Sequence, residues 1–443
     1  MFVKKADTTI VRSTEDGAYL TNVATGENCF INETGLVFMK NIDGFVQDIS
    51  LIAERLAPLY EDITKEELAD DLTSFYQTMS ESNYVVLAKE RDEIEDYPLN
   101  SLHLEITNAC NERCIHCFIP NILKKNAHKI SYEHFRKIVD EFRNLGGQVI
   151  TLSGGEPLLH ESFLDMVNYC ADKYLRVNLF SNLTLLNEKH IDTFSNIQFG
   201  LVQASVYSLD SKVHDYITMC SGSLEKTLAS IRALISAGID VQLAVPIMYQ
   251  NKDSIADILD FVERNSVTVR FTTEIIPQLD GNDSFMKNYA INKQQKRHLV
   301  CDIIKKVNNR RVLNSLFEIS ENSNDLFSNP KSYLKSSFCP AGINSCSISA
   351  DGNIYPCPSW HKYCLGNCLK DSLVNVWKKS STLSWIRAVN RHETFKQCLE
   401  CNLLDYCNRC LALNERINNG EILKVNQNNC EDAEFLKNQL DII

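Results

Sequence analysis

Three cysteines fall inside the run CNERCIHC, residues 110–117, directly after the strand-like segment SLHLEIT. This CxxxCxxC spacing on one short loop constrains the chain more than any other feature. The whole sequence holds 17 cysteines in 443 residues. Disulfide frameworks belong to small secreted chains. The opening residues MFVKKADTTIVRSTEDG contain no apolar signal core. No apolar run reaches transmembrane length either. A cytoplasmic protein without a membrane partner is therefore expected, and clustered cysteine in that setting more often means metal. The net charge of −12 gives nucleic acid no basic footprint to bind.

Three regions follow from pattern. In residues 1–92, TTIVRS, GAYLTNVAT and ENCFIN read as short strands, with turns at Asp16-Gly17 and Gly26-Glu27. DISLIAERLAPLY and KEELADDLTSFYQTMSES then space their apolar residues as helices do. RDEIEDYPLN reads as a charged linker. Residues 100–325 alternate strand and helix. The strands are SLHLEIT, QVITLS, RVNLFS, GLVQASVY, DVQLAVPI and TVRFTTEII. Helical segments such as SYEHFRKIVDEFRNLG and SLEKTLASIRALISAG end in glycine, a common helix stop. The fold class is α/β. Six βα units with right-handed crossovers give a partial (β/α)6 barrel, whose chemistry sits at the C-terminal strand ends. Residues 330–443 are dense in cysteine and poor in regular period, so they are expected to draw stability from metal.

Three thiolates on one loop can hold three irons of a cubane cluster and leave the fourth open to a small molecule. Structural zinc competes, but wants four protein ligands. Chance spacing in a cysteine-rich chain is the third reading. CxxxCxxC after the first strand of a partial βα barrel resembles the radical S-adenosylmethionine (SAM) superfamily. His116 stands where that family places an aromatic residue. The resemblance implies a [4Fe-4S] cluster on Cys110, Cys114 and Cys117 that binds SAM and generates a 5′-deoxyadenosyl radical. It further implies SAM contacts from Gly154, Gly155 and Glu156 of GGEP, from Ser181 and Asn182 after the third strand, and from Ser205 on the fourth. Glu156 would meet the SAM ammonium, and the glycines would admit a ligand close to the backbone. One departure is Thr218, which replaces an arginine that related enzymes carry after VHDYI.

The phrases CPAG, Asp351-Gly352, YPC and CEDA, with CLECNLLDYCNRC, resemble the SPASM extension of radical SAM enzymes. This implies two auxiliary [4Fe-4S] clusters, three clusters in all. Cys339, Cys346, Cys357 and Cys410 are assigned to the first, and Cys398, Cys401, Cys407 and Cys430 to the second. Cys364 and Cys368 are unexpected and are read as idle thiols or alternative ligands. Pro358 occupies the place of an aspartate found in sulfatase maturases, which argues against that reaction. The isolated Cys29, Cys170, Cys220 and Cys301 receive no role.

The first region resembles the peptide-recognition domain of ribosomal-peptide maturases, a winged-helix-like α+β unit. That resemblance implies a precursor peptide whose leader adds as a strand to a sheet edge. The implied reaction is an oxidative crosslink, with a cysteine thioether as the leading reading. Carbon–carbon or carbon–oxygen crosslinking, epimerisation, and a zinc-stabilised peptide-binding protein are the alternatives. A flavodoxin- or ferredoxin-type reductant is implied by the chemistry. Tyr207, Asp210 and His214 either face substrate or are structural.

Overall fold

A computed structural model describes residues 1–443 except 7, 24, 43–45, 61–62, 90–96, 126, 280–281, 284–285, 308, 320–335 and 443. Most of the expected linker RDEIEDYPLN and the expected boundaries at 92, 325 and 330 lie outside the described residues.

The first region contains β1 (Phe2–Lys5), β2 (Thr9–Thr14), β3 (Gly17–Asn22), β4 (Glu27–Asn32), β5 (Gln47–Asp48) and β6 (Val85–Ala88). The expected strands form the antiparallel meander β2-β3-β4. A second sheet, β5-β1-β6, was not legible in the sequence. Its strands are only two to four residues long. β1 meets β5 as Phe2 with Asp48 and β6 as Phe2 with Ala88, both far along the chain, so no local alternation marks them. Three helices pack on these sheets. Glu33–Lys40 starts with Asn32 accepting from the Gly35 amide, and Ile49–Leu56 starts with Asp48 accepting from Ser50. Lys65–Glu81 opens with a reciprocal Thr64–Glu67 capping box. Their apolar faces meet the sheets around Val3, Leu20, Ile52, Leu72 and Tyr76, all fully enclosed in one core. The Tyr76 hydroxyl donates to Phe38 O at 2.8 Å, so its burial leaves no donor unmet.

The middle region runs β7 (Ser101–Thr107), β8 (Val149–Gly154), β9 (Arg176–Ser181), β10 (Phe199–Ser205), β11 (Asp240–Pro246) and β12 (Thr268–Thr272). All neighbours pair in parallel, in chain order. The helices Tyr132–Asn144, Phe163–Asp172, Glu188–Ser195, Ser223–Ser236 and Ile255–Asn265 fill the crossovers. Side chains alternate across each strand. On β7, Leu102, Leu104 and Ile106 face the helices and are fully buried. His103, Glu105 and Thr107 take the opposite, interior face.

The cysteine-dense region begins as a continuation of this sheet. Strand β13 (Ser345–Ile348) pairs in parallel with β7, Ser345 opposite Ser101. Then β14 (Asn353–Tyr355) and β15 (Gly366–Asn367) follow antiparallel. The sheet therefore reads β12-β11-β10-β9-β8-β7-β13-β14-β15. The Trp377 indole donates to Tyr97 O at 2.7 Å, and Arg387 stacks 4.3 Å over the Tyr97 ring. These contacts hold the region against the segment that leads into β7.

The core around Leu72 contains no residue of the barrel core. Leu72→Ala is expected to cost about 2–5 kcal/mol by leaving a cavity. Hydrogen exchange should show the loss in β3, while tryptophan fluorescence, which reports only Trp360, Trp377 and Trp385, should unfold at an unchanged midpoint.

Candidate functional site

The loop bearing Cys110, Cys114 and Cys117 leaves β7 and is held mainly by backbone. Gly155 N donates to Thr107 O and Glu156 N to Ala109 O, both at 2.7 Å. Arg113 N donates to Thr218 O at 3.0 Å and Ile115 N to Ile217 O at 2.9 Å. Gln278 Nε2 donates to Cys117 O at 3.1 Å and Lys124 Nζ to Glu112 O at 3.2 Å. Thr218, fully buried, thus serves the loop through its carbonyl.

The three thiols share one electrostatic environment. Burial pushes Cys110 up to about 12, and the neighbouring Glu156 and Cys117 add to the rise. Cys114 is raised by burial, then by Glu112, Cys117 and Cys110. Burial pulls Lys124 down, but the three sulfurs, Cys117 foremost, lift it above its ordinary value. Cys110 and Cys114, so enclosed, do not ionise alone at neutral pH; a bound metal would supply the missing charge.

The GGEP segment packs directly against the cysteine loop. A Cβ on Gly154 would lie 2.2 Å from Thr107 O, and one on Gly155 2.2 Å from Ala109 O. Gly154 also has a φ of +140°, which favours glycine. The close approach these glycines permit is to the cysteine loop. Glu156 is fully buried. Its carboxylate accepts from Leu158 N at 3.0 Å, Ser181 Oγ at 2.8 Å and Asn182 N at 2.8 Å. Burial nevertheless raises it to about 7. Ser181 Oγ accepts in turn from Leu183 N, and Asn182 Nδ2 donates to Asn111 in the loop at 3.0 Å. Glu156, Ser181 and Asn182 therefore join the ends of β8 and β9 to the loop. Three protein donors hold the carboxylate, which has about four acceptor sites. Ser205 lies half-buried on the interior face at the end of β10.

A second buried network supports the loop from the far side. Glu112 accepts from Cys114 Sγ at 3.6 Å and from Ser223 Oγ. Ser223 reaches His214 Nε2 at 3.5 Å, and His214 Nδ1 meets Tyr207 N at 3.3 Å. The Tyr207 hydroxyl points at Cys114 Sγ, 3.9 Å away, and its ring meets His116 edge-on at 5.0 Å. Asp210 caps the helix Ser211–Thr218 through Lys212 N. All three of Tyr207, Asp210 and His214 are thus engaged within the protein. Glu112 and Ser223 escaped the sequence reading. A carboxylate between two loop cysteines was a signal for the first; a serine at a helix start gave none.

The later cysteines divide into two groups and a pair. Burial raises Cys357 to about 12, with Cys339 and Cys410 contributing. Burial raises Cys407 to about 11, with Cys430, Cys398 and Cys401 in its field. Cys346 stands apart from its expected group. Burial raises it, and its sulfur neighbour is Cys368. Strand alternation is the reason: Cys346 lies opposite Leu102 of β7, so its side chain enters the apolar layer under the helices, where Cys368 is also buried. Cys364 is exposed. Glu415 organises the region, accepting from Trp360 Nε1 at 2.8 Å, Lys362 Nζ at 2.6 Å and Tyr363 OH at 2.7 Å. Asn390 Nδ2 fixes the Cys339 carbonyl at 2.7 Å.

The sequence model of the radical SAM superfamily matches residues 104–262, and that of the SPASM iron–sulfur cluster-binding domain matches residues 339–402. The chain is a radical SAM enzyme with a SPASM domain. It is 25% identical over 313 residues to the mycofactocin maturase of Mycolicibacterium smegmatis, spanning 70% of this chain and 77% of that one. It is 22% identical over 322 residues to the AdoMet-dependent heme synthase of Methanosarcina barkeri, spanning 70% and 90%. Among solved structures, SuiB of Streptococcus suis bound to its precursor peptide SuiA shares the fold. The TM-score is 0.55 at 16% identity, over 94% of this chain and 97% of that one.

The residues of this radical SAM domain fit the family's cofactors. Soft thiolates on one loop suit iron–sulfur ligation. Among the described residues, no three His, Cys, Asp or Glu side chains could hold a single metal ion, and a cubane spans more than an ion does. Asn108 Oδ1 and His116 Nδ1, on and beside the loop, are buried without a partner among the described residues, as atoms awaiting a ligand are. In the SPASM domain, Cys346→Ala and Cys368→Ala are expected to leave the iron content of anaerobically reconstituted protein unchanged. Cys357→Ala should lower it by about four iron atoms. Iron and acid-labile sulfide assays check both.

Proposed function

We propose that this enzyme matures a ribosomally made peptide by installing an oxidative crosslink, a cysteine thioether being the first product to seek. The supporting observation is the N-terminal unit. The likeness to peptide-bound SuiB extends over 94% of the chain and so takes in this unit, whereas the sequence matches to the mycofactocin maturase and the heme synthase alike span 70% of it. A leader-recognition role for residues 1–92 accounts for that extra length. Edge strand β4 carries Phe30, half exposed and 5.2 Å from the half-exposed Tyr19, which offers apolar anchors beside open backbone donors and acceptors. Tethering the leader there raises the concentration of the core peptide at the barrel mouth.

Cys110, Cys114 and Cys117 would hold the SAM-binding cluster. Cys339, Cys357 and Cys410 would serve a first auxiliary cluster, and Cys398, Cys401, Cys407 and Cys430 a second. SAM on a [4Fe-4S] cluster supplies a hydrogen-abstracting radical when bound. The chain's own residues position that chemistry. The β8–β9 carboxylate network and the Ser211–Thr218 helix end fix the loop. Lys124 balances its charge. A flavodoxin- or ferredoxin-type protein would deliver the electrons.

Anaerobic co-expression with a precursor peptide is expected to remove two hydrogens per modification, read by mass spectrometry, with blocked cysteine alkylation if sulfur is joined. Replacing Cys110, Cys114 and Cys117 with alanine should abolish 5′-deoxyadenosine formation. An unmodified peptide beside turnover of a tetrapyrrole would overturn the peptide reading. A peptide of unchanged mass but inverted stereocentres would assign epimerisation.

A further inference from the structure

The barrel interior holds a carboxyl group that the network above does not use. On β7, Glu105 sits two residues before the strand's C-terminal end, just below the cysteine loop. Its strand neighbours Leu104 and Ile106 face the helices, so Glu105 faces inward with His103. The His103 ring meets Phe180 of β9 at 5.7 Å although β8 lies between their strands, which confirms that this face is shared. Glu105 lies opposite Ser153 of β8, and His103 opposite Ser347 of β13.

Glu105 is 1% exposed, and its Oε2 has no hydrogen-bond partner among the described residues. Ser347 Oγ, on the adjoining strand and the same face, is equally buried and unpartnered. Native proteins rarely leave such atoms unmatched, and two on one interior wall mark a place where something else supplies the partner. The titratable groups around Glu105 are His103 on its own strand, Asp351 in the β13–β14 turn and His361 beyond it. Asp351 is already engaged by Ser349 Oγ and by the amide side chain of Asn353 at 2.8 Å. Burial, and then the Asp351 charge, raise Glu105 to about 7. Burial lowers His103 to about 4, with His361 adding to the fall, so the imidazole beside Glu105 is neutral.

We propose that Glu105 is the substrate-side base of the crosslinking reaction. This rests on the peptide-oxidation reading above. In a two-hydrogen oxidation the carbon–hydrogen bond breaks by transfer of a hydrogen atom to the SAM-derived radical. The new carbon–heteroatom bond forms as the sulfur, oxygen or nitrogen partner releases its proton to Glu105. The remaining electron leaves to a one-electron acceptor of the iron–sulfur class. A base near neutrality at the working pH suits that transfer.

The test compares wild type with Glu105→Gln, which keeps the shape, and Glu105→Asp, which keeps a proton acceptor. All are cluster-loaded enzymes given the leader-bearing precursor. For Glu105→Gln, iron content, leader affinity by fluorescence anisotropy and 5′-deoxyadenosine formation should match wild type. Crosslinked product should fall about 100-fold or more, so that SAM cleavage becomes uncoupled. In wild type the product rate should rise as pH passes about 7 and then level, because the carboxylate form accepts the proton. Glu105→Gln should lose that rise, and Glu105→Asp should restore part of it. Unchanged coupling in Glu105→Gln would overturn the proposal. So would loss of iron, leader binding or SAM cleavage, which would mark a structural role. Failure of the peptide reading shows separately, as an unmodified precursor in the wild-type control, and removes the proposal with it.

Discussion

The backbone of β7 and of the loop that follows it is the element on which the rest of the structure depends. Its residues are hydrogen-bonded on one side to β8 and on the other to β13. Past the strand end, the loop receives further main-chain bonds from Gly155 and Glu156 and gives its own to Ile217 and Thr218. A loop held this way presents three sulfurs without relying on their side chains for its shape. The sulfurs remain available for a cofactor, and the enclosed acidic and hydroxyl groups behind them keep the loop from collapsing.

The sequence made the barrel legible because its strands and helices carry long, strong periods. SLHLEIT and RVNLFS coincide with β7 and β9, and the other interior strands differ only at their ends. The meander and the helices Ile49–Leu56 and Lys65–Glu81 were visible for the same reason. Short strands with distant partners were not: β1 and β6 meet only after the chain has built the whole first region. The parallel pairing of β13 with β7 joins residues whose separation no local pattern records.

Site residues were legible as a set, while the contacts they make within the protein were not. Spacing marked Cys110, Cys114 and Cys117, and the structure brings them together. The family resemblance gave Glu156 a SAM contact but no sign of its bonds to Leu158, Ser181 and Asn182, nor that the glycines before it make room for carbonyls of the cysteine loop. Cys346 fell into the expected cysteine rhythm, but its placement on a strand decides which way its sulfur points, and that direction is toward Leu102's layer. Spacing reports which residues are near in sequence; strand parity reports which side they occupy.

Pairing β13 to β7 also sets an order of events in synthesis. The partner of β7 on that side emerges only after residues 108–344 have been made. At ordinary translation speed that interval is on the order of tens of seconds. Through it, the strand that leads into the cysteine loop is an open edge, able to template pairing with another chain. The nascent barrel is therefore most vulnerable to misassociation at the strand that carries its chemistry, and the arrival of residues 345–348 closes that window.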